Sequence, residues 1–176
     1  LRFEDTIFFP EGGGQPCDVG KIVGKEKVYA VTDVQRDTLG GVWHTLKNQA
    51  AENITERVDL VLNWDNRYNN MQQHSGQHLL SSVAKTGYNL NTVSWSLTKI
   101  GNFCYVDLEG EKCSTKILQS HEDAVNVRIK QNLKYIKNVY VGEEIDKINA
   151  TTRAGVNKNF PVRVIEIEGI DKNMCC

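Results

Sequence analysis

The sequence predicts an α+β protein. A small β-barrel-like module occupies residues 1–62, and an α/β-layer domain with two long helices on an antiparallel sheet occupies 63–176. Three observations predict this. Short apolar runs at Thr6-Ile7-Phe8-Phe9, Lys27-Val28-Tyr29-Ala30-Val31 and Arg57-Val58-Asp59-Leu60-Val61-Leu62 are separated by Gly, Pro, Asn and Asp clusters, the pattern of strands and turns. From Asn63 the apolar period lengthens to that of a helix, and a second helical stretch follows Ser114. Further strand-like runs follow that helix, the densest being Val162-Arg163-Val164-Ile165-Glu166-Ile167.

The chain begins almost inside its first apparent strand, so the N-terminal module is expected to lack residues upstream. In the first helix Trp64, Tyr68, Met71, His74 or Ser75, His78, Leu79 and Val83 recur at helical spacing; Asn63 or Asp65 can cap its start and Gly87 can close its end. Val93 to Lys99 and Phe103 to Leu108 flank Ile100-Gly101-Asn102 as a hairpin. Ser114 or Thr115 then caps a second helix with apolar positions Ile117, Leu118, His121, Ala124, Val125, Ile129, Leu133 and Ile136. A short strand near Val139 to Val141 follows, Thr151 to Asn159 reads as loop, and no internal repeat is present.

With 176 residues, 40% hydrophobic and 24% charged, the chain can bury a core and does not have the composition of a disordered protein. No apolar run has the length of a membrane span, and no export leader is visible. The 5 cysteines lack a disulfide framework spacing, which favours free thiols or metal ligands and a cytoplasmic location. A net charge of −1 excludes a global field drawing the chain to nucleic acid. A local patch remains open in Lys112, Lys116, Arg128, Lys130, Lys134 and Lys137, set against Glu122 and Asp123, although a solvated helix face is the plainer reading.

The chemistry concentrates in Met71-Gln72-Gln73-His74-Ser75-Gly76-Gln77-His78-Leu79-Leu80. Imidazoles four apart on a helix lie on one face and can address one cation. A thiolate from elsewhere would complete a borderline-soft set, and Cys175, which follows the strand at 162–167 and the turn-like Gly169 to Asn173, is the candidate. Three such ligands with an open position suit hydrolytic zinc. Ser75 stands where a His-Glu-x-x-His metalloprotease has its glutamate, so that class is disfavoured. Cys175 and Cys176 alone could equally be inert thiols, while His44 and His121 read as packing or surface histidines.

A second constellation is Phe8-Phe9-Pro10-Glu11-Gly12-Gly13-Gly14-Gln15-Pro16-Cys17-Asp18. Consecutive glycines carry a large ordering cost unless the backbone bends sharply or meets another group closely. Gly12, Gly13 and Gly14 are therefore read either as a wide turn or as bare amides facing a phosphate or substrate edge, with Gln15 able to donate and accept. The loop has no lysine and no strand-to-helix context, which excludes a nucleotide P-loop, and ATP is not expected to be needed.

Taken together, the Phe-Phe-Pro-Glu-Gly-Gly-Gly-Gln-Pro block, Gln-Gln-His-Ser-Gly-Gln-His-Leu-Leu, and Val-Arg-Val-Ile-Glu-Ile-Glu-Gly ending in Cys-Cys resemble the AlaX-type alanyl-tRNA editing proteins. These are free-standing relatives of the editing domain of alanyl-tRNA synthetase, and the blocks resemble in particular their eukaryotic Aarsd type. The resemblance implies zinc held by His-x-x-x-His and Cys-x-x-x-His, which on this chain are His74, His78 and Cys175. The family's last histidine falls four residues after Cys175, so the fourth protein ligand is expected beyond residue 176, and weak zinc retention is expected of residues 1–176 alone.

The implied reaction is hydrolysis of the ester joining serine to the acceptor end of tRNA(Ala). A synthetase pocket built for alanine cannot strongly exclude serine, so a second site must require the hydroxyl that the first could not reject. Thr92, Ser94 and Ser96 are the candidate hydroxyl-binding residues, with Gly12, Gly13, Gly14 and Gln15 as further substrate contacts. A non-catalytic tRNA-binding module with an incomplete metal site, and a metal hydrolase of small esters, are the alternatives.

Overall fold

A computed structural model describes residues 1–47, 54, 57–97, 103–110, 113–148, 150 and 159–175. Two compact units emerge: Leu1–His74 with Ser96–Cys104, and Ser75–Trp95 with Tyr105–Cys176.

The first unit is built on strands β1 (Gly20–Val23), β2 (Val28–Arg36), β3 (Val42–Leu46) and β4 (Asp59–Leu62). They form one antiparallel sheet in the order β3-β2-β1-β4, with Ile22 opposite both Tyr29 and Leu60. Pairing of β3 with β4, which would close this sheet into a barrel, is absent among the described residues. Strand alternation buries Tyr29 and Val31, and an irregularity between Val31 and Asp33 shifts the parity so that Val34 also turns inward. These side chains join Phe8, Cys17 and Ile22 in the core.

Thr6 to Phe9 is not a strand. Side chains take its amides instead: Phe8 N–H donates to Thr6 Oγ1 at 3.1 Å and Phe9 N–H to Asp18 Oδ2 at 2.6 Å. Phe8 is thereby buried without a ladder partner. His44 is a packing histidine, its ring edge-on to Phe3 and Phe8 and its Nε2 2.8 Å from Thr6 Oγ1. Burial holds its pKa below the usual histidine value, against the weaker upward pull of the Leu1 carbonyl.

Helix α1 (Trp64–Tyr88) starts as expected, with Asn63 Oδ1 accepting from Asn66 N–H at 3.1 Å. Its end lies beyond Gly87. Asn89 takes the left-handed conformation (φ 54°), and Leu90 N–H returns to Ala84 O at 3.1 Å, so a residue other than glycine closes the helix. The boundary between the units falls inside α1, between His74 and Ser75.

In the second unit the C-terminal turns of α1 and helix α2 (Thr115–Lys130) pack Leu79, Val83 and Val125 around Ile167. Ser114 Oγ caps α2 by accepting from Ile117 N–H at 3.3 Å. Asn132 (φ 50°) turns the chain after α2, so Ile136 lies in a strand rather than on the helix. Of the expected apolar stripe only Val125 is fully buried, while Ala124 and Leu133 pack partly and Ile117, Leu118 and Ile129 are exposed.

Strands β5 (Thr92–Ser96) and β6 (Tyr105–Leu108) pair with each other. β7 (Tyr135–Tyr140), β8 (Val162–Ile167) and β9 (Asp171–Cys175) form a three-stranded antiparallel sheet in that order. The turn between β8 and β9 is shorter than the sequence suggests. Gly169 (φ 72°) and an Ile170 N–H to Ile167 O bond of 2.9 Å complete it, and Asp171 onward is strand. Residues 98–102, which include the expected hairpin tip, residues 151–158 of the polar loop, Lys112 and Cys176 lie outside the described residues. No described helix is long and apolar enough to cross a membrane.

Candidate metal centre

α1 holds the site through two sets of polar contacts, one on each half of the helix. In its first turns, positions 67, 70 and 74 share a face and hold the segment after the glycine loop. Arg67 donates bidentately to the buried Asp18 carboxylate, with Nε 2.8 and 2.9 Å from its oxygens, and also to Ile7 O at 2.8 Å. Asn70 Nδ2 donates to Pro16 O at 3.4 Å. His74 Nδ1 lies 2.9 Å from Gln15 Oε1.

The glycine loop explains how Gln15 arrives there. Gly13 and Gly14 both have positive φ (62° and 78°), and the N–H groups of Gly12 and Gln15 each donate to the other's carbonyl at 3.2 and 3.0 Å. That is the conformation of a two-residue turn with both central residues in the left-handed region, which glycine adopts without steric cost. The turn delivers Gln15, only 5% exposed, against His74.

Further along, β9 lies against the helix in a matching ladder. Cys175 Sγ is 3.3 Å from His78 Nε2, Asn173 Nδ2 donates to Ser82 Oγ at 3.0 Å, and Asp171 is 3.9 Å from Lys85 Nζ. Steps of two along a strand present one face, and steps of three or four along a helix do the same, so the three contacts fix one register. Arg163, directly opposite Cys175 on β8, donates to its sulfur at 3.2 Å, and a cation beside a cysteine favours the thiolate form that metals bind.

The outcome is that one ligand atom from each of His74, His78 and Cys175 lies within 4.8 Å of the others. The three sequence candidates thus come together. Two nitrogens and one sulfur are a zinc donor set, and bonds of ~2.0–2.1 Å to nitrogen and ~2.3 Å to sulfur at tetrahedral angles put the donors ~3.5 Å apart. The 3.3 Å between His78 Nε2 and Cys175 Sγ fits that edge. Gln15 engages Nδ1 of His74, so that Nε2 is the atom of that ring which would face an ion, the support that metal-binding histidines usually receive.

The remaining candidates are distributed differently. Thr92, Ser94 and Ser96 alternate along one face of β5. Thr92 Oγ1 donates to Ser81 Oγ at 2.8 Å, and Ser94 donates to Asp107 across the β5–β6 pair. Lys116, Arg128, Lys130, Lys134 and Lys137 are exposed, with Glu122 and Asp123 exposed on the same helix, so the surface is mixed in charge. His121 packs edge-on to Tyr88 and bonds Leu80 O at 3.1 Å. Sequence reasoning missed Asp18, Arg67, Asn70, Ser82, Arg163 and Asn173, because each acts through a partner distant in the chain.

Fold and donor set together describe a protein of mixed α and β structure with a His74, His78 and Cys175 group able to hold a metal ion. No protein-family model matches the chain. Among curated proteins it is 33% identical over 98% of its length to alanyl-tRNA editing protein Aarsd1 of Rattus norvegicus, covering 40% of that protein. It is 33% identical over its whole length to Aarsd1 of Danio rerio (41% covered), and 32% identical over 97% to alanyl-tRNA editing protein AlaX-L of Pyrococcus horikoshii (41% covered). By sequence the chain is a relative of the alanyl-tRNA editing proteins of the Aarsd1 and AlaX type. It spans about two fifths of the length of the relatives it matches.

Proposed function

We propose that this chain carries the hydrolytic site of a trans-editing enzyme that removes serine misattached to tRNA(Ala). The observation that carries the reading is the convergence of His74, His78 and Cys175 in a chain similar along its whole length to alanyl-tRNA editing proteins. Residues 63–176 are the editing domain in this reading, and residues 1–62 the module that supplies the glycine loop.

His74, His78 and Cys175 would hold zinc, with a fourth protein ligand contributed from beyond residue 176. Bound there, the ion would supply a Lewis-acid position for water or a polar substrate group. The chain's own residues do the rest. Gln15 sets the ring of His74, and Arg163 together with the Asn173–Ser82 bond sets the sulfur of Cys175. Thr92, Ser94 and Ser96 line the face proposed to meet the seryl group, and Gly12, Gly13, Gly14 and Gln15 the edge proposed to meet the acceptor end. Phosphates of the acceptor stem would be met by the exposed cations of α2 and β7. Such work belongs in the cytoplasm, with tRNA as the partner.

The test is release of serine from Ser-tRNA(Ala) by the full-length protein with added zinc, beside His78→Ala. Hydrolysis abolished by the substitution supports the reading. Undiminished hydrolysis in the variant overturns it, and tRNA binding without hydrolysis by the unsubstituted protein marks a non-catalytic module instead.

A further inference from the structure

We infer that Gln77 is the specificity-determining residue that reads the side-chain hydroxyl of the aminoacyl group, with Ser81 and Thr92 holding it in place. The inference rests on the deacylase reading above and deepens it. Gln77 immediately precedes His78 and sits four residues before Ser81 on α1, so it shares the helix face next to the metal ligands. It is only 6% exposed. Its Nε2 donates to Ser81 Oγ at 2.9 Å, and Ser81 Oγ also accepts from Thr92 Oγ1 at 2.8 Å, tying the helix to β5.

The other end of the amide is not accounted for. Gln77 Oε1 is buried and has no hydrogen-bond partner among the described residues. The bond to Ser81 accounts for the amide nitrogen, but nothing among the described residues accounts for the buried oxygen, whose desolvation is left uncompensated. A ligand that brings a donor would account for it.

The chemistry of the surroundings selects the donor. Gln77, Ser81 and Thr92 form a chain of neutral groups with no carboxylate in it, which is a poor host for a buried ammonium and a good one for a hydroxyl. A hydroxyl both donates and accepts, so it satisfies either end of the amide. A seryl group would pair with Gln77, whereas an alanyl group in the same position would leave the amide unpaired. That asymmetry produces the preference an editing site requires.

The experiment measures binding of two non-hydrolysable probes, 3′-(L-seryl)amino-3′-deoxyadenosine and its L-alanyl counterpart, to the zinc-supplemented full-length protein by calorimetry. The unsubstituted protein should bind the seryl probe about 10- to 100-fold more tightly, the range expected when a buried partner is left unpaired. Gln77→Met should bring the two probes to within about threefold at unchanged zinc content and melting temperature. Should Gln77→Met fail to fold, Thr92→Val, which removes the brace on Ser81, must lower the seryl preference at least threefold. A Gln77→Met protein that keeps the preference, or loses affinity for both probes equally, overturns the inference, as does an unsubstituted protein without preference. A protein that prefers the seryl probe but leaves Ser-tRNA(Ala) intact defeats the deacylase reading while the assignment of Gln77 stands.

Discussion

Replacing Gln15 by alanine tests how the metal ligands are held. Gln15 Oε1 lies 2.9 Å from His74 Nδ1 and the residue is 5% exposed, so bulk water cannot readily take its place. Alanine leaves the ring nitrogen without its acceptor and frees the imidazole to rotate. Loss of such a supporting contact lowers metal affinity by about 10- to 100-fold, which is ~1.4–2.7 kcal/mol. The cost of an unmade hydrogen bond at a buried group, about 1–3 kcal/mol, agrees. The turn itself should survive, because its bonds run between the backbones of Gly12 and Gln15. The assay is competition for zinc against a chelator of known affinity, with circular dichroism as the control on folding. Gln15→Glu, which keeps an acceptor at that reach, should retain affinity. A folded Gln15→Ala protein whose zinc affinity stays within about twofold of the unsubstituted chain would refute the reasoning.

Other consequences follow from the packing. Arg67→Ala strips the partner from Asp18, whose side chain is 1% exposed, and should lower stability in chemical denaturation by about 3–5 kcal/mol; a loss under about 1 kcal/mol would mean the carboxylate is not held as described. Because burial lowers the pKa of His44, the unfolded chain takes up a proton at higher pH than the folded one, so stability is full above the ordinary value of 6.5 and falls as pH drops below it. Urea midpoints between pH 7.5 and 5 should show that decline and lose part of it in His44→Asn. Asn89→Ala, at φ 54°, should cost about 1 kcal/mol in thermal unfolding, while Asn89→Gly should cost nothing or stabilise.

Much of the local structure was legible in the sequence because it depends on neighbours in the chain. Helical spacing put His74 and His78 on one face of α1, and Asn63 and Ser114 announced the two helix starts. What escaped depends on distance. That residue 15 would meet residue 74 follows from a turn whose two positive φ values are suggested by glycine but whose target is not. The ladder from β9 to α1 depends on a strand register, and Arg163 reaches Cys175 only because β8 pairs with β9 opposite it. Gly87 and Asn89 are both able to end a helix, and the choice of Asn89 came with the Leu90 to Ala84 bond. The stripe on α2 overstated burial, since periodicity marks a face but does not say how much of it is covered.

The most direct test is X-ray absorption at the zinc edge on the zinc-loaded full-length protein. The account predicts one sulfur at ~2.3 Å and imidazole nitrogens at ~2.0–2.1 Å, with the sulfur contribution gone in Cys175→Ser and an imidazole lost in His78→Ala. A zinc shell without sulfur in the unsubstituted protein, or one unchanged by both substitutions, would contradict it.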